Sequence, residues 1–101
     1  MKLAVVYRQA ARRDIVDVFR WYENQRPGLG ASFVAEIARI EGHISEAPGL
    51  YQVVYGEIRR AVMRRYPCGL FYIEEKDRLV VLACLDLRRS PQAVTRILGR
   101  R

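Results

Sequence analysis

The spacing of apolar positions changes character three times along this chain. Leu3 to Tyr7 is mostly β-branched and aromatic, which predicts a first strand. From Ala10 the spacing lengthens. Ile15, Val18, Phe19 and Tyr22 recur every three or four residues with Arg12, Arg13, Asp17 and Arg20 between them, the pattern of an amphipathic helix. Arg26-Pro27-Gly28-Leu29-Gly30 interrupts that pattern and predicts a compact helix-to-helix turn. Phe33, Ile37, Ile40 and Ile44 then repeat a 4-3-4 spacing, and Ala47-Pro48-Gly49 ends the second helix. The two helices form a hairpin in which each offers one apolar stripe to another layer.

Beyond Pro48 the period shortens to that of strands. Val53 to Tyr55 predicts a short strand and Ile58 to Tyr66 a longer one, in which Arg60, Val62, Arg64 and Tyr66 share a face. Pro67-Cys68-Gly69 is expected to make a turn or a bulge. Leu70 to Ile73 is apolar throughout, as in a strand buried on both sides. Glu74-Glu75-Lys76-Asp77-Arg78 suits a charged hairpin loop, with Leu79 to Leu85 as the returning strand. Ser90 can cap a last short helix with Pro91 at its first position and Val94, Ile97 and Leu98 on its apolar face.

Condensed, the order is β-α-α-β-β-β with a short C-terminal helix. It gives an α+β fold in which an N-terminal strand and a helical hairpin pack on a small antiparallel meander. Each helix stripe buries about four large side chains at ~1.5–3 kcal/mol apiece, so the domain depends on the hairpin. Trp21, Tyr22 and Phe33 are expected in the core. The length of 101 residues suits one domain spanning 1–101.

Charge adds an asymmetry. Residues 1–57 hold seven Lys/Arg and seven Asp/Glu, whereas residues 58–101 hold eleven against four and carry the whole net charge of +7. The excess lies in the doublets Arg59-Arg60, Arg64-Arg65 and Arg88-Arg89, beside apolar strand-like runs. Arginines fixed on a sheet suit an anionic partner, either an acidic protein segment or a phosphate backbone. Direct nucleic-acid binding without catalysis fits the charge but lacks a recognition helix.

The residue content excludes much chemistry. His43 is the single histidine, placed mid-helix beside Ile44, where a partly buried structural role is expected. Cys68 and Cys84 belong to no C-x-x-C pair and are expected to be reduced, buried thiols of a cytoplasmic protein. No metal-ligand spacing, nucleotide-binding glycine loop or catalytic triad appears, so no metal or cofactor is expected. The longest apolar run is far short of the roughly 20 residues that span a bilayer, and the N-terminus does not look like a signal peptide.

Four strings carry a family likeness. They are Ala11-Arg12-Arg13-Asp14-Ile15 with Trp21-Tyr22-Glu23; Arg26-Pro27-Gly28-Leu29-Gly30 with Phe33 and Glu36-Ile37; Ile58-Arg59-Arg60 to Arg65-Tyr66-Pro67 with Leu70-Phe71-Tyr72; and Val80 to Cys84 with Arg88-Arg89-Ser90-Pro91. In that order they resemble the RelE/ParE superfamily of toxins from bacterial type II toxin–antitoxin systems. RelE-like members are ribosome-dependent messenger RNA endoribonucleases. ParE-like members inhibit DNA gyrase without being enzymes, and are linked to plasmid stabilisation and growth inhibition.

The Pro-Gly-Leu-Gly turn and the absence of any Tyr or His after Tyr72 place the likeness nearer the ParE branch. Metal-free RNA cleavage needs a proton acceptor and a proton donor, and arginine stays protonated. Asp86 or Glu57 can serve as a base, but an acid is harder to find. The resemblance therefore implies a gyrase inhibitor, with a metal-independent endoribonuclease as the alternative. It implies target contacts at Arg59, Arg60, Arg64, Arg65, Arg88 and Arg89. It also implies a cognate antitoxin with an acidic, apolar, disordered segment, held through Arg60, Arg65, Tyr66, Arg88 and Ile97.

Overall fold

In the computed structural model, which describes residues 2–101, the chain runs β1 (Ala4–Tyr7), α1 (Gln9–Gln25), α2 (Leu29–Glu46), a 3-10 turn at Pro48–Leu50, β2 (Gln52–Tyr55), β3 (Ile58–Val62), β4 (Cys68–Glu75), β5 (Arg78–Asp86) and α3 (Pro91–Gly99). Four strands follow the hairpin, as the four separate runs predict and one more than the condensed order holds. They form the expected antiparallel meander, and β1 joins it alongside β5 in parallel, giving the order β1-β5-β4-β3-β2. The sheet is therefore mixed. Nothing local in Leu3–Tyr7 specifies its partner, because the pairing Val5–Leu79 joins residues far apart in the chain.

Both faces of the sheet are covered. The α1–α2 hairpin packs on one face over Leu70, Tyr72, Leu79, Val81 and Cys84, with Phe33, Ile40 and Ile44 from α2 fully or almost fully buried. On the opposite face Leu98, Val94 and Ile97 of α3 pack on Phe71, Val80, Leu82 and Leu85. This accounts for the unbroken apolar runs of β4 and β5. Ser90 Oγ accepts from the Ala93 N–H at 3.1 Å, so α3 is capped as the sequence implies.

The hairpin turn is locked by a side chain. Gly28 has φ +95°, a conformation that favours glycine. Glu23, near the end of α1, accepts from the N–H groups of Gly28 at 3.0 Å and Gly30 at 2.9 Å, supplying acceptors at the start of α2. A Cβ on Gly30 would stand 2.8 Å from both Phe19 and Glu23, so a bare backbone is what lets the helices meet there.

Four expectations are corrected. The strand expected to reach Tyr66 stops at Val62, and Cys68 and Gly69 belong to β4. The hairpin loop shrinks to Lys76-Asp77, because Glu75 pairs with Arg78. Trp21 is 57% exposed, since it lies just outside the Val18–Tyr22 stripe and touches Tyr22 edge-on. His43 is exposed, on the outer side of α2 from Ile40 and Ile44.

One polar network closes the layers. The register of β4 on β5 slips between Phe71 and Tyr72, leaving Leu82 as an extra residue in a bulge. β1 pairs with β5 only as far as Val81, so the edge beyond lacks a strand neighbour. Asp14 Oδ2 accepts the Cys84 N–H at 3.0 Å, and Arg101 donates to the Leu82 carbonyl at 2.9 Å. Arg101 also pairs with both Asp14 oxygens, at 2.8 and 3.2 Å, with each side chain less than one-fifth exposed. Replacing Asp14 by Ala strands a guanidinium and a strand amide together and is expected to cost about 2–4 kcal/mol in urea unfolding. Asp14→Asn, which can still accept the amide, is expected to cost less.

Candidate functional site

The three arginine doublets do not form one surface, because alternation along β3 sends neighbours to opposite faces. Arg59 points to the hairpin side, where its guanidinium donates to the carbonyls of Tyr51 at 2.5 Å and Gly49 at 3.4 Å. It is thus engaged in holding the 3-10 turn. Arg60 points to the α3 side and lines a cavity of about 220 Å³ with Tyr55, Phe71, Leu87, Arg89 and Thr95. Its Nε is buried and has no hydrogen-bond partner among the described residues.

Arg64 and Arg65 lie on the other flank, beside α2. Glu36 Oε2 accepts the Arg64 backbone N–H at 2.8 Å, which pins the loop after β3 to the helix. The same carboxylate binds Arg39 at 2.7 and 2.8 Å. Arg60 and Arg64 therefore do not share a strand face as the period predicted; β3 ends between them. Tyr66 lies in the aromatic core against Tyr22 and Phe33, with its hydroxyl donating to the Leu29 carbonyl at 3.3 Å. Ile97 is partly buried on the sheet-facing side of α3. These two candidate antitoxin contacts face mainly inward, and packing explains both.

The last doublet also divides. Arg88 makes a fork onto Asp86, with Nε–Oδ1 3.0 Å and Nη2–Oδ2 2.6 Å, although its side chain is 73% exposed. That hydrogen-bonded pairing holds the Asp86 carboxyl below the usual carboxylate range and leaves little basicity for proton transfer. Arg89 lines the Arg60 cavity. The basic group turned towards that cavity is thus Arg60 with Arg89, one residue from each of two doublets.

Sequence reasoning overlooked Tyr55. It sits on β2, ahead of the residues searched for a phenol, yet sheet order carries it to the Arg60 and Arg89 cavity. Also unforeseen is a groove of about 360 Å³ between α1 and α2, lined by Arg12, Ile15, Val16, Val34, Ile37 and Ala38. Val16 and Val34 are large, exposed apolar residues there. Tyr7 donates to Glu41 at 2.6 Å beside it, and burial together with that acceptor pushes its phenol pKa up. Tyr72, buried beneath the 3-10 turn, is pushed up to about 12. Among the described residues no three ligating side chains cluster as a metal site, and no helix is long and apolar enough to cross a membrane.

No family model matches the sequence. No curated protein matches it either. A chain in the solved structure of the chromosomal ParDE toxin–antitoxin system from P. aeruginosa is similar in three dimensions, with a TM-score of 0.73. The match covers 82% of this chain and 94% of that one at 11% identity. The two chains share a fold. The α+β, ParE-like architecture implied by the sequence strings is therefore observed.

The Glu36 hub makes a pH prediction. Hydrogen bonds from Arg39, opposed by burial and aided by the Arg64 amide, lower its pKa from the ordinary 4.5 to about 2. A carboxyl with a depressed folded-state pKa stabilises the fold above its unfolded value and loses that contribution as pH falls through the folded value. Urea midpoints are expected to decline between about pH 4.5 and 2. The Glu36→Gln variant is expected to start less stable and to show a shallower decline over that window.

Proposed function

We propose that this protein is the toxin of a type II toxin–antitoxin module, ParE-like, which inhibits DNA gyrase by protein–protein contact and is neutralised by a cognate antitoxin. The observation that carries the reading is the fold shared with a chain of the ParDE system over nearly all of that chain. The net charge of +7 supports it, since gyrase works with DNA bound and a basic protein is drawn to that complex.

In this reading Arg60 and Arg89, with exposed Tyr55 and Val53 at the β2 edge, form the target surface. Contact that holds gyrase in its broken-strand intermediate converts an essential enzyme into a source of DNA breaks. Arg88, Arg64 and Arg65 flank this surface and contribute mainly to attraction at a distance. The antitoxin lays an apolar helix face into the α1–α2 groove and presents acidic residues to the basic flank. The outer edges of β1 and β2, which carry no further strand in the sheet order, offer places for an added strand.

A second reading, ribosome-dependent cleavage of messenger RNA without a metal, gains from one observation. Tyr55 lines the same cavity as Arg60 and Arg89, placing a phenol near two phosphate-binding guanidiniums. In this reading the phenol handles the proton, although it lies ahead of Tyr72 in the sequence.

The test is a supercoiling and cleavage assay with purified gyrase. Loss of supercoiling with accumulation of linear, protein-linked DNA is expected. The Arg60→Glu/Arg89→Glu variant, with native circular dichroism, is expected to need at least about tenfold more protein for the same effect. Unchanged gyrase, with ribosome-dependent RNA cleavage that Tyr55→Phe abolishes, would replace the first reading by the second.

A further inference from the structure

Cys68 opens β4 and Cys84 lies near the end of β5. Cys84 stands opposite Leu70 and Cys68 opposite Asp86, so the two cysteines are diagonal neighbours on the hairpin-facing side of adjacent antiparallel strands. Both are free and buried, 3% and 2% exposed. Both form part of the wall of an open cavity of about 390 Å³ between α1 and the end of the β4–β5 pair, with Trp21, Tyr22 and Arg88 also lining it. That volume far exceeds the roughly 30 Å³ taken up by a water-sized molecule.

A buried cysteine ordinarily serves as a small apolar filler. Two at diagonal positions of adjacent strands, on the wall of a cavity open to solvent, are placed for chemistry with each other. We propose that Cys68 and Cys84 form a redox-reactive dithiol, oxidised by hydroperoxides to a reversible cross-strand disulfide. The inference goes beyond the toxin reading and does not depend on it.

The surroundings separate the roles of the two sulfurs. Interaction with the Cys84 thiol lowers the Cys68 pKa against burial, with Arg88 favouring the thiolate and Asp86 opposing it. The same interaction, with burial and nearby Asp14, raises that of Cys84. Arg88 on the cavity wall favours a Cys68 thiolate, whereas the Asp14 carboxylate that accepts the Cys84 amide disfavours one at Cys84, so Cys68 is the attacking sulfur and Cys84 the resolving one. The Cys68 thiolate attacks one peroxide oxygen; the S–O bond forms, the O–O bond breaks, and the leaving oxygen takes up a proton. The Cys84 sulfur then attacks the Cys68 sulfenic sulfur. The S–S bond forms, the S–O bond breaks, and the departing hydroxide carries away the Cys84 proton as water. Two thiols lose two electrons together, and one hydroperoxide is reduced to an alcohol, or to water when it is hydrogen peroxide, plus one water.

The bridge would staple the β4–β5 end from which the Arg88-Arg89 segment departs. It requires the strands to draw together, because diagonal neighbours stand further apart than directly opposed ones. A bridge of that kind is readily reduced again.

The test treats the folded, reduced protein with a small excess of hydrogen peroxide and follows intact mass and tryptic peptides without reductant. The expected product is about 2 Da lighter, reverts with dithiothreitol, and links the Cys68 and Cys84 peptides, which trypsin separates at Lys76 and Arg78. Peptide mapping sets aside any oxygen gained by Met63. Cys84→Ser is expected to leave a Cys68 sulfenic acid that dimedone traps, and Cys68→Ser to leave Cys84 unmodified at the same dose. Cys→Ala variants replace either serine variant that fails to fold. Two intact thiols in the folded wild type, at a dose that oxidises the urea-unfolded chain, would overturn the proposal. So would Cys84 reacting as fast in the Cys68 variant as in the wild type.

Discussion

β5 is nine residues long and β1 is four, and much of the architecture follows from that mismatch. Along its outer edge β5 finds a strand partner only as far as Val81, so the bulge carbonyl of Leu82 and the amide of Cys84 need other partners. An unmet backbone group in such a buried place costs as much as a lost hydrogen bond. Asp14 from α1 and Arg101 from beyond α3 meet those two groups and then pair with each other. One ion pair thus fixes α1 against the sheet edge and ties the chain beyond α3 to the same point. A hydrogen bond from the Arg8 guanidinium to the Arg101 carbonyl reinforces the arrangement. The thiol cavity lies beside this tie and the arginine cavity on the α3 face, so both take their shape from helices that it anchors.

Two-sided burial also explains why the basic residues scatter. A strand covered on both faces has no solvent side on which consecutive charges can gather. Arg59 and Arg60 are adjacent in sequence, yet one holds carbonyls beneath the hairpin and the other lies under α3. Past Val62 the chain leaves the sheet, and Glu36 draws Arg64 towards α2. A charge tally by sequence half correctly locates the excess of cations, but only the pleat and the strand end determine which of them meet.

The periodic elements were legible because their signals are local. The stripes of α1 and α2, the apolar runs of β4 and β5, and the Ser90-Pro91 start of α3 each follow from spacing or capping chemistry within a few residues. What escaped depends on partners elsewhere. β3 ends at Val62, and two positions on the Arg64 amide goes to Glu36, 28 residues before it. Asp14 and Arg101 stand 87 positions apart, and neither carries a mark in the sequence of its role. Trp21 looks like core by composition and lies outside it by one helical position. Tyr55 carries no mark in the sequence either, because only the pairing of β2 with β3 brings its phenol to the Arg60 cavity.

The half-buried arginines show where folding requirements end. Arg59 has carbonyl partners, Arg39 a carboxylate, and Arg101 both kinds. Each is accounted for by the isolated fold, which gains from every oxygen they bind. Arg60 differs: its Nε is shielded from solvent and without an acceptor among the described residues, while Arg89 adds a second positive charge to the same hollow. Such an arrangement destabilises the free protein, since a desolvated donor loses its water and gains nothing in return. An anionic group entering from outside reverses both terms, supplying the missing acceptor and offsetting the repulsion between the two guanidiniums. The region that contributes least to folding is therefore the region with most to gain from a partner.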